Sequence, residues 1–299
     1  MPEETYRFLG HPLAVRSNSP EVLAYLRSVY RWFQPPRSEP ATAMLEVLDR
    51  LAVARELVIR DDRGSSTVPC RDVHSLDAES DATIDADSYP LAYVEGALLR
   101  YVARLATGHD LVHAAAVATQ GRAAVLAGPS GRGKSTFCLA LLARGFELLS
   151  DELACVRREG AIVDPFPRLI KVDEQSRRIL RIPRGRVTRA RYTAHGEPMW
   201  LLEIEDAAPA GVAAPTPLHC VMLLQGFAAR TRLEPLSPME SLLALSRLTL
   251  RRAADPAATL FRAAAFVGAV PCYSLIAGDL DDAADAVAAL MGADAGVGA

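Results

Sequence analysis

Lysine is almost absent from this sequence. Of 33 basic residues in 299, only Lys134 and Lys171 are lysines. That usage is a compositional habit and points to no activity. Net charge is nearly absent too: 36 acidic residues against 33 basic leave −3. No overall field therefore draws the chain to nucleic acid or to an anionic membrane. Cysteine is sparse, with five residues: Cys70, Cys138, Cys155, Cys220 and Cys272. Their number is odd and none has a neighbour at metal-ligand spacing. They read as scattered thiols in a reducing compartment, which excludes a disulfide framework or a cysteine zinc site. No uncharged apolar run reaches the ~18 residues of a membrane helix. The opening MPEETYRFLG lacks the basic and apolar regions of a secretory signal. The expectation is a cytoplasmic protein with neither a membrane nor a nucleic-acid partner.

What is present is enough apolar material for a large core, 50% of the residues. Residues 5–17 alternate as one or two short strands. Ser19 and Pro20 open a helix whose Val22, Leu23, Leu26, Val29 and Tyr30 share one face. Residues 43–60 read as two strands or as a helix and a strand, and 61–89 as a polar loop with a short strand. A helix follows Pro90, and a break at Gly108 marks a domain boundary. Beyond it the pattern predicts strands at 111–119, 122–128 and 146–150, with a helix from Lys134. A hairpin turning at Glu159-Gly160 follows. Residues 164–191 read as irregular and basic. Later strands fall in PMWLLEIED, LHCVMLLQGF and PCYSLIAGD. Helices fall in SPMESLLALSRLTL and DLDDAADAVAALM. The expected organisation is an N-terminal α/β module at 1–108, suited to substrate recognition, a catalytic domain at 109–291 and a disordered tail at 292–299.

The second strand of that domain runs into LAGPSGRGKSTF, which contains G-x-x-x-x-G-K-S. A phosphate chain needs many donors close together and no side chains in the way. Gly128, Gly131 and Gly133 let the backbone curl so that successive N–H groups point inward. The helix that follows adds its N-terminal dipole. Lys134 adds a full charge, Ser135 a hydroxyl for Mg²⁺, and Thr136 a contact to the α-phosphate. The loop Gly128, Pro129, Ser130, Gly131, Arg132, Gly133, Lys134, Ser135 and Thr136 is thus the candidate nucleotide site.

The next strand ends in Asp151-Glu152. One carboxylate there can hold a metal, with Ser135, while its neighbour takes a proton from an attacking hydroxyl. An acid pair capping a turn is the plain alternative. His113 lies on the strand before the loop strand and approaches the loop only if the register allows. A satisfied core histidine is its plain alternative.

Taken together, H-A-A-A-V, G-P-S-G-R-G-K-S-T and L-L-S-D-E resemble the catalytic domain of HPr kinase/phosphorylase and its relatives in bacterial peptide-biosynthetic clusters, including those of lasso peptides. The resemblance covers roughly residues 109–290. It implies an α/β fold with a P-loop kinase core of the HPr kinase / PEP carboxykinase type, and an ATP- and Mg²⁺-dependent kinase acting on serine. The implied substrate is a peptide or protein, including a biosynthetic precursor peptide, and a homo-oligomer is compatible with it. In that family's terms His113 sits near the moving phosphate and Asp151 is the metal-side acid. Glu152 stands where the family has a second aspartate as base, so the base is Asp151 or Glu152. Lys134 neutralises charge in the transition state. Residues 1–108 do not resemble the family's regulatory domain, and its signature after the acidic pair is not evident. A non-catalytic ATP-binding regulator or scaffold, or a small-molecule kinase, is the rival reading.

Seven arginines lie between 177 and 191. They read equally as a clamp for phosphate or acidic peptide and as a solvated loop. Arg168 and Lys171 stand nearer the hairpin and face the candidate site.

Overall fold

The computed structural model describes residues 1–35, 40–49, 56–69, 89–129, 131–194, 197–248, 264, 267–268 and 270–292. The chain is mixed α/β, and its contacts divide it into two compact units. One holds 1–107 with 187–201, and the other holds 108–186 with 202–299. The sequence placed one boundary near residue 108; the contacts also assign the later segment 187–201 to the first unit.

In the first unit, β1 (Glu3–Phe8) and β2 (His11–Ser17) form an antiparallel hairpin. The chain then enters α1 (Pro20–Val29), capped by the Ser19 side chain, which accepts from the Val22 N–H. Val22, Leu23, Leu26 and Val29 are buried, as their spacing predicts, and Tyr30 follows them inward. A short 3₁₀ turn at Arg31–Phe33 ends the helix. Residues 43–60 resolve the open choice as two strands, β3 (Ala43–Asp49) and β4 (Glu56–Asp61), with β5 (Gly64–Pro69) beside them. The five strands lie in chain order, with β2–β3 the parallel pair. The helix expected after Pro90 is α2 (Tyr89–Leu105). Its buried Glu95 accepts from Tyr25 (2.8 Å) and Tyr30 (3.4 Å).

The second unit opens with β6 (His109–Thr119), turns at Gln120-Gly121, and returns as β7 (Arg122–Ala127). Both turn residues have positive φ, 49° and 70°, as a two-residue hairpin turn requires. After β7 come the glycine loop, α3 (Lys134–Leu142) and β8 (Glu147–Ser150). The predicted hairpin is β9 (Leu153–Arg157) and β10 (Ile162–Asp164).

Residues 164–191 are not irregular throughout. They hold β11 (Ile170–Asp173), α4 (Glu174–Ile179), a 3₁₀ turn at Arg184–Arg186 and most of β12 (Val187–Ala194). Asp173 caps α4 by accepting from the Ser176 N–H (2.6 Å), a local bond that organises a run otherwise dominated by charge. β13 (Glu197–Leu202) stops earlier than expected, because Ile204–Ala207 forms the helical turn α5.

β14 (Thr216–Phe227), β15 (Arg232–Pro235), α6 (Pro238–Leu248), β16 (Cys272–Ala277) and α7 (Leu280–Leu290) complete the unit. Ser237 and Glu240 form a reciprocal capping box at the start of α6. Residues 249–250 of that expected helix, residues 70–88 including Cys70, and the tail 293–299 lie outside the described residues.

An eight-stranded mixed sheet organises this unit, in the order β10-β9-β6-β7-β14-β16-β15, with β8 on β6. β7, β14 and β16 are mutually parallel neighbours, and β6 runs against β7. The central strands are buried on both faces, so β7 and the middle of β14 read as near-continuous apolar runs. α3 packs on β6 and on α7.

Candidate functional site

The site is built where β7 ends. At 2.9 and 3.2 Å, the Lys134 ammonium donates to the carbonyls of Gly128 and Pro129, so the loop curls around its own lysine, which is 8% exposed. Gly133 caps α3 in a left-handed conformation (φ 80°). The first bond from the loop into the helix is Phe137 N–H to Gly133 O, 2.8 Å. Preceding amides at the helix start have no partner one turn back within it. Ser135 and Thr136 are half-buried, and Thr136 Oγ1 meets Ser176 Oγ at 2.6 Å. Pro129 and Arg132 are exposed; Ser130 lies outside the described residues.

The loop lies along the tip of β14, and the fit depends on glycine. A Cβ on Gly128 would stand 2.7 Å from the Leu224 carbonyl oxygen, and one on Gly226 2.8 Å from Arg132 Nη1. A Cβ on Gly133 would stand 3.1 Å from Phe227 Cζ. At Gly128, two stretches of backbone separated by nearly a hundred residues therefore pack closer than a residue with a Cβ permits.

Register brings the other candidates to this edge. Ala114 of β6 is paired with Ala127, the last residue of β7. On its other edge the Ala114 N–H donates to Glu152 O, 3.0 Å, and His113 is opposite Leu153. Ala127 at the mouth of the loop, Ala114 beside His113, and Glu152 of the acid pair thus share one row, spanning about 10 Å at ordinary strand spacing. β8 is antiparallel to β6, hence points the same way as β7, and delivers Asp151 to the loop's end of the sheet. Ser150, fully buried, shapes the corner by accepting from the N–H groups of Glu152 (3.4 Å) and Leu153 (3.0 Å). Asp151 is also electrostatically close to α3. Burial pushes the Cys138 thiol well up, and the negative charge of Asp151 adds to the effect. Cys138 is one turn beyond Lys134 on the same helix face.

Arg168 completes the arrangement. Its side chain is 1% exposed and joins both acids: Nε to Asp151 Oδ1 at 3.2 Å, and Nη2 to Glu152. The Asp151 side chain is 2% exposed and that of Glu152 32%. Two carboxylates held so near each other need a cation between them. Sequence reasoning placed Arg168 near the site without its role. The signal available was a single basic residue in the otherwise apolar FPRLI.

The arginine-rich segment is partly self-satisfied. Glu174 receives Arg177, Arg178 and, at 3.7 Å, Arg184, while Arg181, Arg186 and Arg189 are exposed. At the far end of β6, Asp164 accepts from Arg157 (2.8 and 2.6 Å) and pairs with His109 (2.7 Å).

The residues fit a magnesium nucleotide on two counts. The loop is a tight glycine curl with a buried ammonium at its centre. Mg²⁺ characteristically takes one or two protein oxygens and completes its shell from phosphate and water, which Ser135 and Asp151 suit. No helix among the described residues is long and apolar enough to cross a membrane.

No protein-family model matches the chain, and no curated protein does. Among solved structures, the HPr(Ser) kinase/phosphatase from Coxiella burnetii is similar over 60% of this chain and 96% of its own, at 13% identity and a TM-score of 0.29. A likeness that slight carries no argument, and any reading of this chain rests on its own residues.

Proposed function

We propose that the chain is an ATP- and Mg²⁺-dependent phosphotransferase with a P-loop kinase core of the HPr kinase / PEP carboxykinase type. The observation that carries this reading is the row of Ala127, Ala114 and Glu152, which joins the loop, His113 and the acid pair in one rigid sheet. The acceptor is a hydroxyl, by the motif resemblance a serine of a peptide or protein, with a biosynthetic precursor peptide as the substrate class. Residues 1–108 would recognise it.

In this reading the loop amides and Lys134 hold the triphosphate, with Lys134 exchanging its carbonyl partners for phosphate oxygens. Bound Mg²⁺ would neutralise charge on the phosphates, held by Ser135 and Asp151. Asp151, buried against Arg168, is the better metal-side group. Glu152, a third exposed, is the better proton acceptor from the incoming hydroxyl. His113 would stabilise the group in transfer.

One observation favours a second reading, a nucleotide binder that transfers nothing: Arg168 occupies both carboxylates, so neither meets metal or acceptor without giving up that partner. Incubation with Mg·ATP and the peptide encoded beside the gene decides between them. The expected product is about 80 Da heavier. Asp151→Asn is expected to abolish transfer and retain ATP binding. ATP binding without phosphate transfer to any peptide, protein or small alcohol would establish the second reading.

A further inference from the structure

Phe227 is the most exposed large hydrophobic side chain among the described residues, at 70%. An aromatic ring in water at the end of a buried strand calls for an explanation, and its position offers one. β14 runs regularly beside β16 until a register shift between Leu224 and Gly226. Such a bulge re-aims the side chains that follow it. The next ring is turned onto the glycine loop, its Cζ 3.1 Å from where a Gly133 Cβ would stand. The backbone behind it is pinned, since the Ala228 N–H donates to Ala277 O at 2.9 Å. Gly226, with φ 127°, lets the Arg132 guanidinium lie against the strand on the same lip. One edge of the ring is thus engaged at the helix start, while its exposure leaves a face open to solvent directly beside the residues that would hold phosphate.

We propose that Phe227 is the platform on which the base of the bound nucleotide stacks. The proposal rests on reading the loop as a nucleotide site. It adds that the base is held by a face-on contact, which every base can make, with no edge read by hydrogen bonds in this contact. The glycines fix where the ring can be: any larger residue at 133 would displace it.

The test compares Mg·ATP with Mg·tripolyphosphate, which has the phosphates and lacks the base. Wild-type protein, Phe227→Ala and Phe227→Trp are titrated with each by calorimetry. Phe227→Ala is expected to weaken ATP about tenfold and to leave tripolyphosphate unchanged. Phe227→Trp is expected to keep ATP affinity. Equal affinities of Phe227→Ala and wild type for ATP would overturn the proposal. So would an equal loss for both ligands, since the ring would then be shaping the loop. A raised KM for the peptide acceptor with nucleotide binding untouched would assign the ring to the acceptor and overturn it as well. If wild-type protein binds neither ligand, the nucleotide reading itself fails and this one falls with it.

Discussion

Replacing Arg168 by methionine is the sharpest probe of how the acid pair is held. The change keeps a long apolar stem and removes the cation. Asp151 would remain with its side chain 2% exposed, next to Glu152 and without its guanidinium partner. Breaking a buried pair from one side typically costs about 3–5 kcal/mol, because the remaining charge is left uncompensated. For a unit of this size each kcal/mol moves the melting midpoint by about 2–4 °C, so Arg168→Met should lower it by roughly 6–20 °C. Asp151→Asn should cost less, since Arg168 keeps Glu152 as a partner. The double variant Arg168→Met/Asp151→Asn leaves only Glu152, whose side chain is 32% exposed and reaches water. It should therefore be more stable than the sum of the single losses predicts, by at least ~1 kcal/mol. Urea denaturation of the four proteins measures this coupling directly. A loss below ~1 kcal/mol for Arg168→Met, or additive losses, would refute the view of Arg168 as the ion that makes the acid pair possible.

Two further expectations concern the glycine loop and the far end of β6. Gly128→Ala sets a Cβ 2.7 Å from the Leu224 carbonyl, a backbone atom that cannot swing away. It should cost about 1–3 kcal/mol and weaken Mg·ATP in a titration. Gly131→Ala meets open space and adds only the strain of φ 74°, so in the same stability measurement it separates the clash from backbone strain. The second concerns acid. Burial raises the Asp164 pKa, but its bonds to Arg157 and His109 outweigh that and hold the carboxyl below the usual range. The unfolded chain therefore takes up the proton first. The stabilisation is complete above the ordinary carboxylate pKa, ~3.9, and fades as pH falls through the lower native value. Urea midpoints between pH 7 and 3 should fall less steeply for Asp164→Asn than for wild type; coincident slopes would refute the assignment.

The glycine loop was the most legible part of the sequence, because its motif is residue types at fixed local spacing. The strand before it and the helix after it were readable for the same reason. The level at which His113 lies relative to the loop could not be read from the sequence. A strand pattern gives the face a residue occupies, while the neighbour at the same level is set by the hairpin turn at Gln120-Gly121. Gly226 and Phe227 passed unnoticed, since their partners lie nearly a hundred residues upstream and a bulge has no composition signature. Arginine frequency concealed β11 and α4. Their apolar positions are few, and a local cap at Asp173 together with ion pairing at Glu174 organises α4. Residues 203–206 read as a continuation of a strand because four residues are too few to show a helical period.

β6 carries hydrogen-bonded neighbours on both of its long edges, with the glycine loop's strand on one side and the acidic corner on the other. To lengthen the gap between loop and acids, the protein would have to tear a sheet through its interior. That spacing is therefore inherited from folding. If the chain transfers phosphate as proposed, control would have to act on what arrives at the gap, through admission and alignment of the incoming molecule, while the two edges stay at a constant separation.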